Sequence, residues 1–173
     1  MNEFDLTTHF HLGPALVLAL VLYRWLDFPT LLAASIVPDI RAILIFFGVL
    51  SGDYHGVLQT FIGALLLSVV LSAGMYAAKP YVNVVLEPFR LAQERSVRAV
   101  GVGAVVGSFS HIVLDSLVWR DVQPFYPFDF NPFLGHVSLL AVYAFCTLCI
   151  VVGTGGYVYM FSTSRLDEHQ QKL

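Results

Sequence analysis

The sequence has little charge, few cysteines and no basic stretch, and each shortage excludes a class of protein. Asp, Glu, Lys and Arg make up 12% of its 173 residues, whereas soluble domains carry about 25%. Its two cysteines, Cys146 and Cys149, cannot provide a disulfide framework. The net charge of −3 is not that of a nucleic-acid-binding protein, and we expect no nucleic-acid partner.

What the sequence has in abundance is apolar residues, which make up 57% of the chain at a mean hydropathy of +0.75. Long Leu, Ala and Val runs without strict alternation predict helices rather than a β-barrel. We predict a single all-α membrane domain, residues 1–173, with about five transmembrane helices. The predicted spans are 12–26, 30–50, 56–78, 97–118 and 137–161.

The distribution of positive charge predicts how this bundle is oriented. With five spans, most Lys and Arg residues fall on the side of the C-terminus, which is therefore expected to be cytoplasmic, with the N-terminus outside. These residues are Arg24, Lys79, Arg90, Arg95, Arg98, Arg165 and Lys172. We expect a multi-pass protein of the inner or plasma membrane, in contact with lipid. Residues 79–96 would form a cytoplasmic loop, 119–135 an outer Pro-rich and aromatic loop, and 162–173 a polar cytoplasmic tail.

Ionisable residues in or near membrane spans are functional candidates, because burying them in lipid costs free energy. In the predicted topology five histidines lie near the outer surface, although they are far apart in sequence. They are His9, His11, His55, His111 and His136. This convergence predicts one polar site.

The sharpest local motif is Ser110-His111-Ile-Val-Leu-Asp115. Residues four apart share a helix face, so His111 and Asp115 can hold a divalent metal such as zinc together. The alternative is a buried His–Asp hydrogen bond that stabilises the bundle.

Asp39, in Pro38-Asp39, could turn inward at a proline kink and join the site, or could form a surface turn with Arg41. His9 and His11 share a face if the segment before the first helix is extended, whereas only one of them can face the site if the helix begins near Thr8. His136 could be a ligand or an interfacial residue. The loop 119–135 is typical of an aromatic belt and could also cover the site as a lid. Gly103 and Gly107, at four-residue spacing, predict close helix packing.

Taken in order, these motifs resemble one family of proteins. The motifs that carry the resemblance are an N-terminal His before an apolar helix, Pro38-Asp39-Ile40, His55-Gly56 at a helix start, and Ser110-His111-x-x-x-Asp115 before a Pro-rich turn. The chain resembles the membrane-bound metal-dependent hydrolases. These are the LexA-binding, inner-membrane-associated hydrolase group, distantly similar to zinc-dependent phospholipase C and P1 nuclease.

The resemblance implies a helical fold that holds a divalent metal, zinc for example, through His and Asp, and we expect one or two ions because the sequence departs from the family pattern. Its implied ligands are His11 or His9, Asp39, His55, His111 and Asp115. The sequence departs from the family at Gln59, which stands where a second histidine often follows the His-Gly element.

The resulting hypothesis is a membrane-embedded hydrolase that cleaves a phosphoester of a lipid or amphipathic substrate at the outer face with metal-activated water. Asp53 or Asp121 would act as general base. The alternative is a non-catalytic membrane protein with a structural or transport-related metal or proton site.

Overall fold

The computed structural model describes residues 11–52 and 56–170, and in this part of the chain all regular structure is helical. The predicted all-α class is therefore confirmed. The α-helices are α1 (Leu12–Val21), α2 (Phe28–Ala34), α3 (Ile40–Phe46), α4 (Phe61–Leu86), α5 (Val97–Val118) and α6 (Leu139–Gln170). Short 3₁₀ turns occupy Val37–Asp39, Val57–Gln59 and Glu87–Phe89.

Four helical segments within the described residues are long and apolar enough to cross a membrane. They are Phe28–Phe46, Phe61–Phe89, Val97–Val118 and Leu139–Thr163. The first predicted span is shorter than expected, because α1 has 10 residues and a rise of about 15 Å. That is roughly half of a hydrocarbon layer about 30 Å thick.

Side-chain caps determine where three of the helices begin. Asp27 accepts a hydrogen bond from the Thr30 backbone at the start of α2, and Thr60 accepts one from Gly63 at the start of α4. Ser96 caps α5 in the same way. Each cap satisfies a backbone N–H that has no partner within its own helix.

The helix ends differ from the segments expected from hydropathy. Helix α4 continues to Leu86, with Pro80 inside it, so the first part of the segment 79–96 is helical. Helix α6 reaches Gln170, so most of the segment 162–173 is helical as well. Hydropathy reports where apolar side chains end, whereas a helix can extend beyond the membrane with polar residues.

Glycines allow the helices to approach each other closely. A Cβ at Gly107 of α5 would lie 2.3 Å from the Leu31 carbonyl oxygen of α2, and one at Gly13 of α1 would lie 2.3 Å from the Cys146 carbonyl oxygen of α6. These contacts pair α2 with α5 and α1 with α6. The predicted packing role of Gly107 is confirmed.

Away from the predicted histidine site, hydrogen bonds and an ion pair join the turn between α1 and α2 to the segment before α5. Gln93 accepts a hydrogen bond from the Phe28 backbone and donates one to the Tyr23 carbonyl oxygen. Lys79 lies 3.7 Å from the buried Asp27 carboxylate and donates to the Arg95 carbonyl oxygen. These contacts hold one end of α2 against its neighbours.

Candidate metal centre

Four predicted site residues from three parts of the chain meet inside the bundle. His11 directly precedes α1, Asp39 ends the 3₁₀ turn between α2 and α3, and His111 and Asp115 lie one turn apart on α5. All four are buried, and their exposed fractions do not exceed 5%. The break at Pro38 permits this arrangement, because it separates α2 from α3 and places Asp39 against α5.

The side chains of these residues are within hydrogen-bonding or ion-pairing distance. Nε2 of His111 lies 3.1 Å from Oδ1 of Asp39 and 3.0 Å from Oδ2 of Asp115. Nε2 of His11 lies 3.3 Å from the other Asp115 oxygen. The His11 and His111 rings are 4.3 Å apart between centroids. Asp115 therefore contacts both imidazoles.

The other nitrogen of His111 determines what Nε2 can do. Nδ1 lies 2.7 Å from the Ser35 carbonyl oxygen. A carbonyl only accepts, so Nδ1 must carry the hydrogen and donate it. In a neutral imidazole Nε2 then presents a lone pair to two carboxylate oxygens, which is a repulsive arrangement. The arrangement therefore needs a proton, on Nε2 or on one of the carboxylates, or a cation bound to Nε2.

If a cation is bound to Nε2, His111 has the arrangement of a metal-ligating histidine. Such histidines usually donate their other N–H to a carbonyl or carboxylate, which fixes the ring orientation and tautomer. Ligand atoms of His11, His111 and Asp115 all lie within 4.8 Å of one another, and Asp39 adds a second carboxylate beside them. Two imidazoles with carboxylate oxygens are a donor set that zinc accepts. A divalent cation would also offset the charge of two buried carboxylates.

A fifth residue, Gln59, completes the cluster. Its side-chain amide donates to Asp39 Oδ1 at 2.6 Å and lies 3.4 Å from Asp115 Oδ2. Gln59 is 2% exposed. One signal in the sequence pointed to this position, because the resemblance described above led us to expect a histidine there. Here the amide links the two carboxylates.

The cluster has two buried polar atoms without a hydrogen-bond partner in the described part of the chain. They are Nδ1 of His11 and Oε1 of Gln59. A cavity of about 10 Å³ borders His11 and Asp115 and is also lined by Trp119, Val142 and Cys146. This volume suits about one water molecule.

The remaining predicted site residues lie elsewhere. His136 is exposed, and its Nε2 is 2.9 Å from the Pro132 carbonyl oxygen, so the structure does not bring it into the cluster. Asp121 is exposed on the segment after α5. His9, Asp53 and His55 lie outside the described residues, and their roles stay predictions.

Comparison with known proteins adds the family. Neither a curated protein nor a solved structure matches the chain. The model of one family, described as YdjM inner membrane protein, matches residues 4–168. The orientation of the termini stays a prediction. Because this match covers nearly the whole chain and four helical segments of the described residues are of membrane length, the protein is a multi-pass membrane protein that belongs to the YdjM inner membrane protein family.

Proposed function

We propose that this protein is a membrane-embedded metal-dependent hydrolase that cleaves a phosphoester of a lipid or amphipathic substrate near the outer face. The observation that carries the proposal is His111, whose Nε2 lies between two carboxylates while Nδ1 is committed to the Ser35 carbonyl oxygen. The resemblance to metal-dependent membrane hydrolases is consistent with this geometry.

In this proposal His11, Asp39, His111 and Asp115 hold one or two divalent ions such as zinc. When bound, such an ion supplies a nucleophile at neutral pH by lowering the pKa of water, and it offsets charge on the phosphoryl oxygens. The Ser35 carbonyl keeps the His111 ring in the tautomer that presents Nε2. Gln59 holds the Asp39 carboxylate in place through its amide.

The chain also provides a place for the reacting water. The small cavity beside His11 and Asp115 is also lined by Trp119, Leu139 and Val142, and apolar walls of this kind strengthen electrostatic interactions next to them. Asp53 and Asp121 stay our predictions for the group that accepts the proton of that water.

An amphipathic substrate fits the aromatic surface near the start of α4. Phe125, Phe128 and Phe130 are exposed, and the Phe61 backbone N–H donates to the Pro124 carbonyl oxygen, which joins this segment to α4. Tyr126 of the same segment is exposed as well, and exposed Tyr side chains are typical of the interface between membrane and water. A substrate with a hydrocarbon chain would reach the site from that interface.

The test replaces His111 by alanine in detergent-purified protein. We expect His111→Ala to lose its bound metal and its metal-dependent phosphate release from a lipid phosphoester. Loss of a residue that only supports a metal ligand lowers metal affinity or activity roughly 10–100-fold, and the loss of His111 should exceed this. Metal content and phosphate release are the measurements. His136→Ala is the matched control and should retain both, since His136 contacts the Pro132 carbonyl oxygen instead of the cluster. Full metal content in His111→Ala would refute the proposed site.

The small cavity favours a second candidate, a non-catalytic metal site that stabilises the bundle. A site with room for about one water molecule has little space for a substrate in this conformation. This candidate predicts a bound metal whose removal lowers the melting temperature of the wild-type protein, with no phosphate release from any lipid phosphoester.

A further inference from the structure

We propose that a pocket next to the cluster binds the phosphate and the adjoining hydrocarbon chain of a single-chain lipid phosphate, with Arg41 as the anion-binding group. The proposal rests on the proposed function, because it names the substrate class of the same site. The pocket has a volume of about 480 Å³, within the range of roughly 300–1,000 Å³ that is usual for ligand sites.

The walls of the pocket continue directly in sequence from two residues of the cluster. One wall is formed by Ile40, Arg41 and Leu44 of α3, and the other by Val57 and Leu58. Ile40 directly follows Asp39, and Leu58 directly precedes Gln59. Because Gln59 donates to Asp39 at 2.6 Å, the two walls are joined at the cluster itself. A phosphate at that end of the pocket would lie next to the proposed catalytic site.

The chemistry of the walls matches an amphipathic anion. Arg41 is the charged residue of the lining, and the other lining residues are apolar or glycine. The exposed fractions of Ile40 and Val57 are 44% and 57%, so the apolar part of the pocket is open to a surrounding hydrocarbon chain. Arginine binds phosphate in a planar, bidentate geometry, which suits the polar end of such a molecule.

Two further observations explain why an arginine is needed here. The carboxylates of Asp39 and Asp115 repel an anionic substrate, and a guanidinium two residues after Asp39 counteracts that repulsion. The Arg41 side chain passes beside Gly52 and Gly56, since a Cβ at either glycine would lie 3.3–3.4 Å from its atoms. An arginine within an apolar membrane segment costs free energy and is a functional candidate.

The experiment measures binding of dodecyl phosphate and of inorganic phosphate to the full-length protein in detergent by titration calorimetry. We expect Arg41→Gln to weaken dodecyl phosphate binding by about tenfold or more, the effect of losing a charge-assisted hydrogen bond. Arg120→Gln, an exposed arginine outside the pocket lining, is the matched control and should bind as the wild type does. Val57→Trp retains Arg41, fills the apolar wall and should also weaken binding.

Unchanged dodecyl phosphate binding in both pocket variants would overturn the proposal. If inorganic phosphate binds as tightly as dodecyl phosphate, the choice of a lipid ligand is overturned. Metal content is measured in parallel and should be unaltered in Arg41→Gln. If wild-type protein holds no metal but dodecyl phosphate binding still depends on Arg41, the proposed hydrolase fails while the pocket stands.

Discussion

Asp115→Asn should abolish metal binding and phosphate release while leaving the helical bundle intact. The two Asp115 oxygens contact the imidazoles of His11 and His111 at 3.3 and 3.0 Å, so this carboxylate joins both histidines. Asparagine has nearly the same shape but is neutral and presents an N–H₂ group in place of one oxygen. We expect metal affinity to fall more than about 100-fold, measured by competition with a chromophoric chelator.

Asp129→Asn is the control for this substitution. Asp129 is exposed and accepts a hydrogen bond from Gln123, so its replacement should leave metal affinity unchanged. Helicity measured by circular dichroism should be the same in both variants. Asp115→Asn protein that binds metal as tightly as the wild type would contradict the assignment of Asp115 as a ligand.

Gly107→Ala should destabilise the bundle and weaken the site at the same time. A Cβ at Gly107 would lie 2.3 Å from the Leu31 carbonyl oxygen and 2.7 Å from Ala34 Cβ, so α5 and α2 would have to separate. Overpacking of this kind costs about 1–3 kcal/mol. His111 lies one turn further along α5 and donates to Ser35 at the end of α2, so metal affinity should fall together with the thermal unfolding midpoint in detergent.

Gly101→Ala provides the matched control on the same helix. Apart from the neighbouring backbone of α5, no atom in the described part of the chain lies within 4 Å of a Cβ at Gly101, and alanine is the better helix former by up to about 1 kcal/mol. This variant should unfold at the same temperature as the wild type or higher. Equal destabilisation of both variants would show that the close contact between α2 and α5 does not limit stability.

Part of the site was predictable because it depends on spacing along one helix. His111 and Asp115 share a face of α5 at four-residue spacing, and the structure places their side chains 3.0 Å apart. The break at Pro38 gave a local reason for Asp39 to turn inward. The choice between His9 and His11 could not be made from spacing, because it depends on where α1 begins. In the structure α1 begins at Leu12, and His11 is buried.

Other features depend on contacts between distant segments and were beyond prediction from one sequence. The amide of Gln59 donates to Asp39, which lies 20 residues away in the sequence. The Ser35 carbonyl that fixes the His111 ring is a backbone group. No pattern of side chains identifies such a backbone acceptor. Hydropathy also overestimated the first span, because the apolar run to Leu26 includes the turn that follows α1.

The central claim is that a cation, and not a proton alone, lies between the imidazoles and carboxylates of this cluster. X-ray absorption at the edge of the metal that copurifies with the wild-type protein tests it most directly. Our account predicts a metal bound by imidazole nitrogen and carboxylate oxygen at about 2.0–2.2 Å, with the imidazole signal lost in His111→Ala. Protein that is free of metal after gentle purification and binds none on titration would contradict the account and would leave His111 as an imidazolium shared by two carboxylates.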